Sequence, residues 1–293
     1  MCPRLACVLL LASCPMCAGD SDVRLKVAAV QFRSSFHVPE NAERITNQLR
    51  MLAAAGVQVA VFPECALTGY DTRAAFAPSA AEVTRAETQI QWTCRERRIA
   101  AIIGTVYRVN GRAYDAAAVF DAQGELVERY GKVYLAGEQW ATAGNHVAYF
   151  ELAGVPTTVI ICHDERYPEL VRLPALKGAK IIYYVSSESG MREENKLAPY
   201  RAQIMARAVE NGMFAVQANA PANTDLSGSH GQSRIIGRDG NVLKEASYFG
   251  EDVLVETLDI QPGSWQRPLE GPLGKWWAEG VDWMMKNRHR PLD

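Results

Sequence analysis

Val155-Pro156-Thr157-Thr158-Val159-Ile160-Ile161-Cys162, followed at once by His163-Asp164-Glu165-Arg166-Tyr167-Pro168-Glu169, is the stretch from which this chain is read. Seven residues rich in β-branched side chains predict a short buried strand. The polar residues after it predict a turn towards a helix. Cys162 sits at the junction, at a sheet's edge instead of in its core. Open α/β folds place their reactive groups there. A free cysteine alone is more often a small packed hydrophobe than a nucleophile, so the reading of Cys162 depends on the rest of the chain.

Two other segments end strands in the same way. In Val61-Phe62-Pro63-Glu64-Cys65 the proline stops a strand predicted over 57–62, and Glu64 is the first residue beyond it. A carboxylate in that place can serve as a general base. In Tyr130-Gly131-Lys132-Val133-Tyr134, Lys132 follows a hairpin predicted over 113–121 and 125–130, turned at Ala122-Gln123-Gly124. Its neighbours are aromatic and aliphatic. A lysine buried among them needs anionic partners to stay charged, and Glu64 and Glu138 are placed to supply them.

In this order the three segments resemble the Glu–Lys–Cys pattern of the nitrilase superfamily of carbon–nitrogen hydrolases. The resemblance spans about residues 26–258 and includes Val27-Ala28-Ala29-Val30-Gln31-Phe32, Arg207-Ala208-Val209-Glu210-Asn211-Gly212 and Gly228-Ser229-His230-Gly231-Gln232-Ser233-Arg234-Ile235. It implies a four-layer α-β-β-α sandwich, a second sheet that pattern alone does not give. It also implies a thiol nucleophile, Cys162, with Glu64 as base. Lys132 and the backbone N–H of His163 then become oxyanion donors, and Glu138 a support for Lys132 or the substrate nitrogen. Tyr70, Trp140, Ser187 and Glu188 are the expected pocket walls. Nitrile-cleaving members tend to carry Trp-Glu after the nucleophile. Here His163-Asp164 favours a small linear amide or N-carbamoyl substrate.

Composition narrows the alternatives. The chain has 293 residues, 48% hydrophobic and 22% charged, with a net charge of −2. These values describe a globular protein with no basic footprint for nucleic acid. Seven cysteines, four of them before residue 18, make no disulfide framework in the body, and no Cys/His spacing suggests zinc. Neither a metal nor an organic cofactor is implied. Residues 1–18 carry Arg4 and the apolar run Leu5 to Ala12, a secretory signal pattern. Leu11-Ala12-Ser13-Cys14 resembles a bacterial lipobox, so periplasmic release or a lipid anchor at Cys14 is expected, with a cytoplasmic protein as the alternative.

The hydrolase-like domain is expected over 24–262. Further strands are predicted at 24–32, 99–107, 181–185, 213–218, 233–237 and 253–257, with helices at 41–55, 81–98, 169–176 and 199–210. The tail over 263–293, crowded with tryptophan and methionine, reads either as an amphipathic helix folded on its own domain or as an interface of a homodimer. Two other function classes compete. One is an inactive small-molecule-binding protein on the same fold. The other is a papain-like peptidase, which would need a cysteine near the mature N-terminus and a distant histidine.

Overall fold

A computed structural model of the chain describes residues 23–192, 197–261 and 273–293. In chain order its strands are β1 (Val23–Gln31), β2 (Val59–Val61), β3 (Ala100–Val109), β4 (Arg112–Phe120), β5 (Leu126–Gly131), β6 (Phe150–Leu152), β7 (Val155–Ile161), β8 (Ile181–Ser186), β9 (Phe214–Asn219), β10 (Arg234–Ile236), β11 (Val242–Glu245) and β12 (Asp252–Ile260). They form two six-stranded sheets, ordered β12-β1-β2-β3-β4-β5 and β11-β10-β9-β8-β7-β6. The helices are α1 (Val38–Ala54), α2 (Thr72–Phe76), α3 (Ala80–Arg97), α4 (Glu169–Lys177), α5 (Leu197–Asn211) and α6 (Gly274–Asn287).

Strand side chains alternate between two apolar layers. Val27, Ala29, Val59 and Val61 from the first sheet meet Val159, Ile161, Tyr183 and Val185 from the second, filling the space between the sheets. The intervening residues point outwards: Ala28, Val30 and Ala60 pack under Ile45, Leu49 and Ile90 of α1 and α3. On the far side, Ile160, Ile182 and Tyr184 pack under α4, α5 and α6. The result is the expected α-β-β-α sandwich. With both faces of each sheet covered, the strands read as continuous apolar runs instead of alternating ones.

Local chemistry sets the helix ends. α3 is capped by Ser79, which accepts from the Glu82 N–H at 3.1 Å, and its C-cap Arg98 is left-handed. The tail helix α6 folds back on its own domain: Trp277, Val281, Met284 and Met285 join the apolar layer over α4, leaving Trp276 and Trp283 exposed. The predicted export signal over 1–18, the domain limit at 262/263 and Trp265 lie outside the described residues. No described helix is long and apolar enough to cross a membrane.

Candidate active site

β1, β2 and β3 run parallel, as do β7, β8 and β9. Glu64 leaves β2, Cys162 leaves β7, and Ser187 and Glu188 leave β8, so these residues gather beyond the carboxyl ends of parallel strands. Lys132 arrives from β5 at the sheet edge. Gly104 on β3 allows the Glu64 loop to lie against its neighbour: a Cβ there would sit 2.1 Å from the Pro63 carbonyl oxygen and 2.6 Å from the Glu64 Cα. Only glycine fits under that backbone.

The expected pairing around Lys132 is present and larger than expected. Lys132, with no exposed surface, donates to Glu64 Oε1 at 2.7 Å and to Glu138 Oε1, and lies 3.5 Å from Asp115 Oδ2. Burial alone would lower the lysine's affinity for its proton. The charges of Glu64 and its neighbours more than offset this and hold the ammonium well above the usual lysine range. Burial likewise pushes Glu138 up, but Lys132 and the Tyr70 hydroxyl, 2.7 Å from Oε1, bring it below the ordinary carboxylate value.

Asp115, not foreseen from the sequence, is driven well up by burial and by the Glu64 charge, towards its neutral acid. Its one signal was a charged residue inside the apolar run Ala113 to Phe120. Glu64, Asp115 and Glu138 present their oxygens close enough together to surround a metal ion. The cation in the middle of this set is the ammonium of Lys132.

Cys162 begins a 3-10 turn over Cys162–Arg166 with φ of 43°, in the left-handed region that favours glycine. Asp164 ties that turn down. It is buried and accepts from Tyr130 Oη at 2.8 Å, the Tyr134 N–H at 2.9 Å and the Ile161 N–H at 3.2 Å. The Tyr184 hydroxyl, on β8, lies 3.1 Å from the Cys162 carbonyl oxygen and 2.6 Å from Glu188 Oε1. Burial and then the Glu64 charge push the Cys162 thiol well up, while Lys132 pulls it down. The balance favours the thiol over the thiolate.

A cleft of about 540 Å³ opens over Cys162 and is also lined by Tyr70, His163, Ser187, Glu188 and Arg33. Of the four wall residues expected from the sequence, three line it. Trp140 lies one layer back: it packs against Cys65, Ala75, Val106 and Ala113 and meets Tyr70 edge-on, with ring centres 6.5 Å apart. Glu64, Lys132 and Glu138 stand directly beneath the wall, tied to it through the Ser187 N–H, which donates to Glu64 Oε2 at 2.7 Å, and through Tyr70.

Glu188 is embedded: its Oε2 is 3.1 Å from His230 Nε2, and Gln217 donates to its Oε1 at 3.1 Å. Burial would raise it, yet His230, Arg234 and Tyr184 hold it below the usual range. His230 thus supports a wall residue, which its isolated place in the sequence did not disclose. Beside the Cys162 turn Glu169 accepts from Tyr134 Oη at 2.9 Å, and Arg166 stacks 5.1 Å over Tyr200.

A family model described as carbon-nitrogen hydrolase matches residues 26–266. The hydrolase in the agr operon of Staphylococcus aureus is 29% identical over 235 residues, 78% of this chain and 88% of that protein. The 2-oxoglutaramate amidase of Bacillus subtilis (strain 168) is 26% identical over 240 residues, 80% and 91% of the two chains. An amidase from Nesterenkonia sp. AN1, solved as a double mutant with acrylamide, superimposes with a TM-score of 0.73 over 80% of this chain and 90% of its own, at 24% identity. That last likeness speaks for the fold. With the family model covering most of the chain, this protein belongs to the carbon–nitrogen hydrolase family.

Proposed function

We propose that this enzyme hydrolyses the carbon–nitrogen bond of a small linear amide or N-carbamoyl compound through a thioester on Cys162. The observation that carries the reading is the buried Lys132 ammonium clasped by Glu64 and Glu138 directly beneath the cleft onto which Cys162 opens. The thiol sulfur bonds to the carbonyl carbon while its proton passes to Glu64. Lys132 and the His163 backbone N–H receive the oxyanion, in a site where excluded water strengthens each donor. As the tetrahedral carbon collapses, the C–N bond breaks and the Glu64 proton leaves with ammonia or the amine. Water then gives a proton to Glu64 and its hydroxyl to the acyl carbon, and the thiol leaves with that proton. Glu138 keeps Lys132 in register.

The amide class agrees with relatives named as 2-oxoglutaramate amidase and omega-amidase. A screen of ammonia release over amides, N-carbamoyl amines and N-carbamoyl amino acids tests the reading. Release from at least one class that depends on Cys162 is the expected result. Tight binding without turnover in all three would leave the inactive binding protein instead. Trp276 and Trp283, exposed on α6, are the proposed contacts of a homodimer, and sedimentation of a variant with both changed to serine should give a monomer. Export with lipidation at Cys14 is checked by the mass of the mature N-terminus.

A further inference from the structure

Lys132 follows a strand of the first sheet and Cys162 a strand of the second, yet one side chain holds the backbone beside both. Asp164, with no exposed surface, draws four donors onto its two oxygens. Its Oδ1 accepts the N–H groups of Val133 at 3.2 Å and Tyr134 at 2.9 Å, the two residues that follow Lys132. Its Oδ2 accepts the N–H of Ile161, the residue before Cys162, at 3.2 Å, and the Tyr130 hydroxyl at 2.8 Å. Lys132 is thus held from both sides in the chain, and Cys162 from one.

Only an ionised carboxylate suits four converging donors. A carboxylic acid turns one of its oxygens into a donor. On Oδ1 that proton would meet two backbone N–H groups that cannot turn away. On Oδ2 it would meet the Ile161 N–H and force the Tyr130 hydroxyl to swing its own proton elsewhere. A buried donor left without an acceptor costs more than the bond was worth, so protonation loosens one end of the bridge. Burial and the Asp164 charge push the Tyr130 phenol well up, and it stays a donor. The other titratable groups facing Asp164 are Lys132 and Tyr134. Burial raises Asp164 to about 7, against the pull of the Tyr134 N–H, the Tyr130 hydroxyl and the Lys132 charge.

We infer that Asp164 is a positioning residue that sets Lys132 against Cys162, and that turnover needs its carboxylate ionised. The inference rests on the thioester reading and adds the group that joins its two halves. Asp164 acts through backbone and not on the reacting atoms. Above its pKa the bridge is complete. As the pH falls through that value the acid forms, and the spacing between ammonium and sulfur is no longer fixed. A misplacement of about 1 Å costs about 10²-fold in rate.

The test is the pH profile of kcat for an amide that the enzyme turns over. Wild-type kcat should fall as the pH drops through about 7, a readout that depends on no variant folding. Tyr130→Phe keeps the ring and removes one donor, so Asp164 takes up its proton more readily. The acid limb should then move to higher pH by about one to two pH units, with kcat near the wild-type value above it. Tyr183→Phe is the control. Its hydroxyl is buried between the same sheets with no partner among the described residues, and its loss should leave the limb in place. Asp164→Asn, which turns N–H donors towards other donors, should cost about 10²-fold in kcat and abolish the limb. A wild-type profile level from about pH 6 to about pH 8, or full activity in Asp164→Asn, would overturn the role of Asp164 alone. So would a folded Tyr130→Phe whose kcat is lowered equally at every pH. No amide turnover by folded wild type would remove this inference together with the reading beneath it.

Discussion

The two sheets bring opposite kinds of group to the cleft. From the first sheet come Lys132, Glu64, Glu138 and Asp115, sealed from water, with each charge answered by a direct partner. From the second comes Cys162, partly open, on a left-handed turn beside a wall of Ser187 and Glu188. Charges this deep are tolerated only when paired, and a nucleophile is useful only where a substrate can reach it. The fold separates the two requirements by sheet and lets them meet at the strand ends.

If that division holds, damage on the two sides should differ in kind. The largest effect is expected for Cys162→Ala, which should reduce hydrolysis by about 10⁴-fold or more with little change in melting temperature, since the side chain is only partly buried at the margin of the layer between the sheets. Lys132→Ala should cost about 10²–10³ in kcat and also about 3–5 kcal/mol of stability, because Glu64 and Glu138 lose their counter-charge. A Lys132→Ala protein as stable as wild type would mean that the cluster does not hold the first sheet's end together.

Gly104→Ala tests how finely Glu64 is set. The added methyl meets the Pro63 carbonyl and the Glu64 backbone, so the strand end must shift. A loss of about 1–3 kcal/mol and of about 10–100-fold in kcat is expected, by thermal denaturation and steady-state rates. Wild-type activity would show that Glu64 tolerates displacement.

These features differ in how far the sequence discloses them. A lysine among aromatic neighbours calls for anions, so Glu64 and Glu138 could be paired with Lys132 before any coordinates. Asp115 could not, because its position on β4, beside β5, is a matter of sheet register. The second sheet was legible only through resemblance: with both faces buried, Val159 and Ile160 look alike in sequence although they face different layers. β11, whose four residues are all exposed, and the three-residue β6 have no period to detect. Trp140 shows the reverse error. An aromatic in the right loop fits a wall, and only packing places it one layer behind Tyr70.

A smaller effect distinguishes a resting thiol from a thiolate. Burial and Glu64 raise the Cys162 thiol, so below its pKa the thiolate fraction grows about tenfold per pH unit. The rate of iodoacetamide alkylation should therefore climb between pH 7 and about pH 8.5. A rate already level at pH 7 would mean that Lys132 outweighs burial.

The central claim is that Cys162 carries the acyl group between the two halves of the reaction. Intact-protein mass spectrometry of the wild-type enzyme, quenched in acid during steady-state turnover of an amide, tests it most directly. The account predicts a mass increase equal to the acyl group less one hydrogen, mapped to the peptide containing Cys162 and absent in Cys162→Ala. Unmodified protein at every time point, in enzyme that turns the amide over and yields no hydroxamate when hydroxylamine is added, would contradict it.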